Sequence, residues 1–274
     1  MRRFVLFAVV TLFAALLFFA WTTWQQAQAF ERETETIITR LSAESQVEQG
    51  KNQLLELLSF GYYDDYSKHL EELNRHKELQ SAYAESVEIM TWLFGGTALL
   101  LLLLAWFARY DLGDVAYAML GIALISLLVG LATPILSIEA SKDLPVLGDT
   151  LLQYQSKGVL STLDTLYENG YWWLALVLLI FSVVLPMMKT AVGGLTFFSR
   201  TSPLLEKWFH ISHHLGKWSM ADVFVAAILV AFFANSGADS LTHAEVRPGL
   251  WFFLGYVLLS MLAFQFLGRE MKRR

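Results

Sequence analysis

The sequence predicts an all-α membrane protein with six transmembrane helices, an extracytoplasmic helical hairpin between the first two, and room for short strands in a later outside loop. Of its 274 residues, 55% are hydrophobic and 16% charged, a balance too apolar for an ordinary soluble domain. Six apolar stretches divide the chain: Phe4 to Trp24, Met90 to Phe107, Val115 to Leu136, Tyr171 to Phe198, Trp218 to Asn235 and Gly249 to Leu267. Each approaches or exceeds the ~20 residues that cross a bilayer core as a helix. Tryptophan marks their edges. Trp21, Trp24, Trp92, Trp106, Trp172, Trp173, Trp218 and Trp251 all lie near stretch ends, where amphipathic rings prefer the headgroup layer.

The first span, residues 1–24, begins with Arg2 and Arg3, and Ala27-Gln28-Ala29 beyond it imitates a secretory cleavage site. Its apolar run exceeds the roughly 7–15 residues of a signal core and ends on Trp21 and Trp24, which favours an uncleaved helix. Residues 25–89 are charged, rich in glutamine and nearly free of proline and glycine. Ile37, Leu41, Leu54 and Leu58 fit one helical face, as do Tyr66, Leu70, Leu73, Leu79, Tyr83 and Val87 after a break at Gly61 to Asp65. Such a hairpin could project to dock a partner or sense a signal, or it could simply continue the first and second spans and pair them. The second span covers residues 90–107.

After the third span, Ser137 to Gly170 is broken by Pro145, Gly148 and Gly158, with strands allowed around Ile135 to Ala140 and a short helix expected over Val159 to Tyr167. Asp143, Asp149 and Asp164 have no metal-ligand or nucleophile spacing and are expected to be solvated acids.

Charge enters the interior of the apolar stretches at Lys189 and Asp222 only. An ionised side chain in a bilayer costs at least about 2.5–3.5 kcal/mol, so such residues usually face a partner or a water-filled cavity. In the fourth span, Pro186 cannot donate to the carbonyl of Ser182, and Lys189 follows Ser182 by two α-helical turns, so hydroxyl, carbonyl and ammonium are expected on one strip. The competing explanation is a lysine that snorkels to the cytoplasmic headgroups. At the start of the fifth span, Ser219 and Asp222 share a helical face. They could equally be an N-cap and an acid that stabilises the positive end of the helix dipole. Asp222 is expected at about the depth of Lys189, where a pair could stabilise both charges or exchange a proton. Ser260 in the last span would add a hydroxyl.

Positive charges set the orientation. Arg2, Arg3, Arg109, Arg200, Lys207, Lys217, Arg269, Lys272, Arg273 and Arg274 fall on one side of a six-span arrangement, together with the acids Asp111, Asp114, Glu206 and Glu270. That side, which includes the basic tail 269–274, is the expected cytoplasm, with both termini inside.

The segments KWSMADVFVAAILVAF (Lys217 to Phe232), FSVVLPMMK (ending at Lys189) and ATPILSI (Ala132 to Ile138) resemble the paraquat-inducible protein A family of bacterial inner-membrane proteins. The resemblance covers roughly residues 113–268 and implies a four-span module in which Ser182, Lys189, Ser219 and Asp222 match polar interior positions. It also implies work beside periplasmic proteins with mammalian-cell-entry (MCE) domains, in systems that move lipids between the inner and outer membranes. Well-characterised members carry two such modules and zinc-binding cysteine ribbons, whereas this chain has one module and no cysteine, which excludes the ribbons. His210, His213 and His214 lack acids at useful spacing and are expected to form a basic solvated face, so no metal and no cofactor is expected.

The expected function is therefore a polytopic inner-membrane component of an envelope lipid-transport or membrane-homeostasis system, with membrane lipids and an MCE-domain protein as partners and no nucleic acid. Ser182, Pro186, Lys189, Ser219, Asp222 and Ser260 are the expected transport or coupling residues. The alternative is a membrane sensor or scaffold that binds a partner through the hairpin. No GxxxxGK[ST] motif occurs and no nucleophile and base pair can be assembled, so no enzymatic activity is expected.

Overall fold

The computed structural model describes residues 2–41, 65–107, 112–144, 148–198 and 242–273. Among them, five helices are long and apolar enough to cross a membrane: Phe7–Ile37, Asn74–Phe107, Gly113–Ala132, Trp172–Leu195 and Pro248–Glu270. The expected fifth stretch lies outside the described residues, as do Ser219, Asp222, the histidine group, Leu54, Leu58 and the expected hairpin turn.

The first two helices exceed their apolar stretches. Helix α1 (Arg2–Leu41) has 40 residues and α2 (Asp65–Phe107) has 43, or roughly 60–65 Å each at ~1.5 Å per residue. That is about twice the ~30 Å hydrocarbon core, so each continues well beyond it. Where the composition turns polar the pair is joined by side chains: Gln80 donates to the hydroxyl of Thr34 at 2.7 Å, and His76 Nδ1 lies 2.7 Å from Glu33. Val87 and Ile37 are buried as their spacing predicts, whereas Leu79, placed on the same face, is exposed.

Helix α3 (Leu112–Ala132) is the central post, its most apolar window being the most buried of the five spans. One face, with Ile122, Ile125 and Val129, packs on Leu16 and Ala20 of α1 and on Phe94, Ala98 and Leu101 of α2. The opposite face, with Ala123, Leu127 and Leu131, packs on Leu250, Phe253 and Val257 of the last helix.

The third stretch was expected to reach Leu136, but the helix stops at Ala132. Pro134 bars the preceding residue from the α region, and the chain passes directly into a strand. Strands β1 (Leu136–Leu144), β2 (Gly148–Lys157) and β3 (Thr242–Val246) form an antiparallel sheet in the order β2-β1-β3, with a bulge between Ala140 and Ser141. The strands allowed around Ile135 to Ala140 are therefore present and extend further.

Helix α4 (Val159–Glu168) falls where a short helix was expected. Ser161 accepts the Gly158 N–H at 2.8 Å to start it. At its end Tyr171 N–H returns to the Leu166 carbonyl and Gly170 N–H to that of Tyr167, a Schellman stop in which Gly170 takes φ +81°, a conformation few other residues accept. The fourth span follows as α5 (Trp172–Leu179), a π turn (Ile180–Val184) and α6 (Leu185–Phe198), and the last helix is α7 (Pro248–Arg273).

Candidate functional site

Proline 186 explains why the fourth span changes pitch. An α pattern would direct its missing N–H to Ser182, and a π pattern to Phe181. Leu185 N–H instead reaches back five residues to Ile180, and the chain resumes α geometry beyond it. The extra residue in that turn means that Ser182 and Lys189 are not related by a plain two-turn α repeat, which corrects the expectation of a straight strip. π turns inside spanning helices often occur at functional sites.

The polar face is nevertheless built. Ser182, Pro186 and Thr190 are buried, while Ile180, Val184, Met187 and Met188 on the other face are exposed. The Pro186 carbonyl accepts Thr190 Oγ1 at 2.9 Å and the Tyr256 hydroxyl of α7 at 3.4 Å. A carbonyl next to the helix break is thus held by two hydroxyls inside an apolar bundle. Neither hydroxyl was anticipated. Thr190 is spaced four residues from Pro186, a signal legible in hindsight, but Tyr256 is 70 residues away and only folding brings it there.

Lys189 is half-buried, and its Nζ lies 5.2 Å from the centre of the Phe264 ring on α7, within cation–π range. The ammonium therefore turns toward the neighbouring helix. Phe264 precedes Arg269 by five residues, roughly 7.5 Å along the helix, so Lys189 sits in one end of the span and not at its centre. Close packing fixes this corner: a Cβ on Gly193 would come within 2.9 Å of Leu120 and 3.2 Å of Phe264. Ser260 is buried, but its hydroxyl donates to Val257 on its own helix at 3.1 Å. Among the described residues no group of three or more His, Asp or Glu side chains could hold a metal ion.

The segment Ala132 to Ile138 has a different part to play. Here the end of α3, one end of the sheet (the start of β1 beside the ends of β2 and β3) and the start of α7 converge. Gly249 N–H donates to the Pro134 carbonyl at 2.9 Å and Arg247 N–H to that of Ile135 at 3.0 Å. Arg247 Nε also donates to the fully buried Ser137 hydroxyl at 2.7 Å, while its guanidinium lies 4.5 Å from the Phe30 ring centre on α1. Arg247 therefore links three elements, a role that nothing in its local sequence announces.

The family model described as paraquat-inducible protein A matches residues 114–271, which run from the first turn of α3 to the last turn of α7 and cover more than half of the chain. Helices α1 and α2 lie before the match. No curated protein and no solved structure matches the chain.

Proposed function

This chain belongs to the paraquat-inducible protein A family, and on that premise we propose that it is an inner-membrane component of a bacterial envelope system that transports lipids or maintains the membrane. In this proposal residues 218–235 supply the fifth of six spans, both termini lie in the cytoplasm, and an MCE-domain protein receives or delivers lipid on the periplasmic side. The supporting observation is the broken fourth span, in which Ser182, Pro186 and Thr190 are buried, the Pro186 carbonyl and Lys189 meet Tyr256 and Phe264 of α7, and Ile180, Val184, Met187 and Met188 are exposed. A polar seam inside a membrane bundle is where a substrate headgroup or a proton passes. Lys189 and Asp222 gate or couple that movement, with Ser182, Ser219 and Ser260 as accessory hydroxyls and Pro186 as the break that lets the helix change shape.

A sensor or scaffold is the second reading, favoured by α1 and α2, which outrun the hydrocarbon core and are joined there by polar side chains. Affinity purification of the full-length protein from crosslinked native membranes, with mass spectrometry, separates the two. Recovery of an MCE-domain protein, lost on deletion of residues 25–88, supports transport. Recovery of a signalling protein and no MCE-domain protein favours the sensor.

A further inference from the structure

A groove of about 900 Å³ runs between α2 and α7, floored by Ile122 and Ser126 of α3. It is separate from the seam around Lys189, because its walls belong to the faces of α2 and α7 that meet through Phe94 and Phe252, with ring centres 4.8 Å apart. Trp92 and Trp251, 74% and 59% exposed, line it from α2 and α7, so the groove is open at its side among the described residues.

Length and charge together define its occupant. From Trp92 to Leu102, the innermost lining residue of α2, the helix advances roughly 15 Å, half of the ~30 Å core and therefore the depth of one leaflet. Tryptophan favours the headgroup boundary, which places the polar end beyond Trp92 and Trp251. That end carries both signs of charge: Arg247 at the start of α7, with Glu31 of α1 close enough to interact with it, and Glu85 and Glu88 on α2. Counting outward from the Phe94 and Phe252 contact, Arg247 lies about 7.5 Å and Glu88 about 9 Å along their chains, at nearly one level.

We propose that this groove holds one membrane phospholipid with a zwitterionic amine headgroup, its acyl chain below the two tryptophans, its phosphate beside Arg247 and its ammonium toward Glu88 and Glu85. An anionic headgroup without an amine would meet the two carboxylates unfavourably. The assignment rests on the lipid-handling proposal only for what the bound lipid is for. It makes the contact between the N-terminal helix pair and the family module a second lipid site, supplied in part by residues that precede the family match.

Two glycines allow a direct test. A Cβ on Gly95 would meet nothing within 4 Å, and one on Gly255 only Ser126 Oγ at 3.8 Å, so larger side chains there fill the groove without pressing on backbone. The full-length protein is exchanged into micelles holding equal phosphatidylethanolamine and phosphatidylglycerol of matched chains, and retained lipid is counted by native mass spectrometry. One phosphatidylethanolamine per chain is expected, with at least a tenfold loss in the Gly95→Leu, Gly255→Leu variant at unchanged Tm. The surface variant Glu85→Gln, Glu88→Gln, which keeps the groove open, is expected to bring the two lipids toward parity without reducing the total. Equal retention of both lipids by the wild-type protein, or undiminished lipid in the filled variant, overturns the assignment. Recovery of the MCE-domain partner is scored on the same variants: lipid lost with the partner kept supports the groove, whereas lipid kept with the partner absent removes the transport proposal alone.

Discussion

Replacing Gly249 by alanine would set a methyl group against the carbonyl oxygens of Pro134 and Thr133, the latter 2.6 Å from the ideal Cβ position, and 2.9 Å from the Pro134 carbonyl carbon. All three are backbone atoms and cannot rotate aside, so the start of α7 must move off the end of α3. That movement strains the core, at about 1–3 kcal/mol for overpacking. It also weakens the 2.9 Å bond from Gly249 N–H to Pro134, worth about 0.5–1.5 kcal/mol. Alanine returns at most about 1 kcal/mol of helix propensity. The net loss is about 2 kcal/mol, which lowers Tm by roughly 4–8 °C at the usual 2–4 °C per kcal/mol for chains of this size. Thermal unfolding of the purified protein in one detergent measures it. Gly255→Ala is the matched control on the same helix: its Cβ meets only a side-chain oxygen at 3.8 Å, and its Tm should hold or rise. If Gly249→Ala melts with the wild type, or Gly255→Ala falls as far, the close junction of α3 and α7 is wrong.

Tyr256→Phe removes a hydroxyl whose bond to Pro186 is long, at 3.4 Å, and should cost no more than about 1 kcal/mol because Thr190 still serves that carbonyl. Combining it with Thr190→Val should cost more than the two single changes together, as a double-mutant cycle would read. Arg247→Gln should destabilise by about 2 kcal/mol through loss of the Ser137 bond and the Phe30 stack, and Arg247→Lys should fail to restore it because an ammonium offers no planar fork; both are read by Tm. His76→Ala should lower Tm by no more than about 2–4 °C, since the contact with Glu33 is partly exposed and such pairs are worth at most about 1 kcal/mol.

Apolar run length and tryptophan placement made the described spans legible, because crossing a bilayer imposes a length and an edge chemistry on the sequence itself. The short helix after Gly158 was equally visible, since Gly158 and Gly170 bracket it. The true end of α3 was not. Ala132 to Leu136 carries no charge, and average hydropathy does not distinguish a spanning turn from the Thr133-Pro134 corner that turns the chain into β1. Proline 186 signalled a break but not its form, because a proline can be accommodated by a kink or by a π turn and the surrounding packing decides which. Lys189 stood out as a charge among apolar residues, yet its turn toward Phe264, like the links Arg247 makes to Ser137 and Phe30, depends on contacts across 75 or more residues of sequence that no local pattern encodes.

The most direct test of a lipid-moving role is the passage of pulse-labelled phospholipid between the inner and outer membranes of cells whose only copy of the protein is wild type, Lys189→Met or Asp222→Asn. A role for the two charges in gating or coupling predicts that each variant slows lipid movement at least tenfold while reaching the membrane at normal abundance. Movement at the wild-type rate in both variants would contradict it.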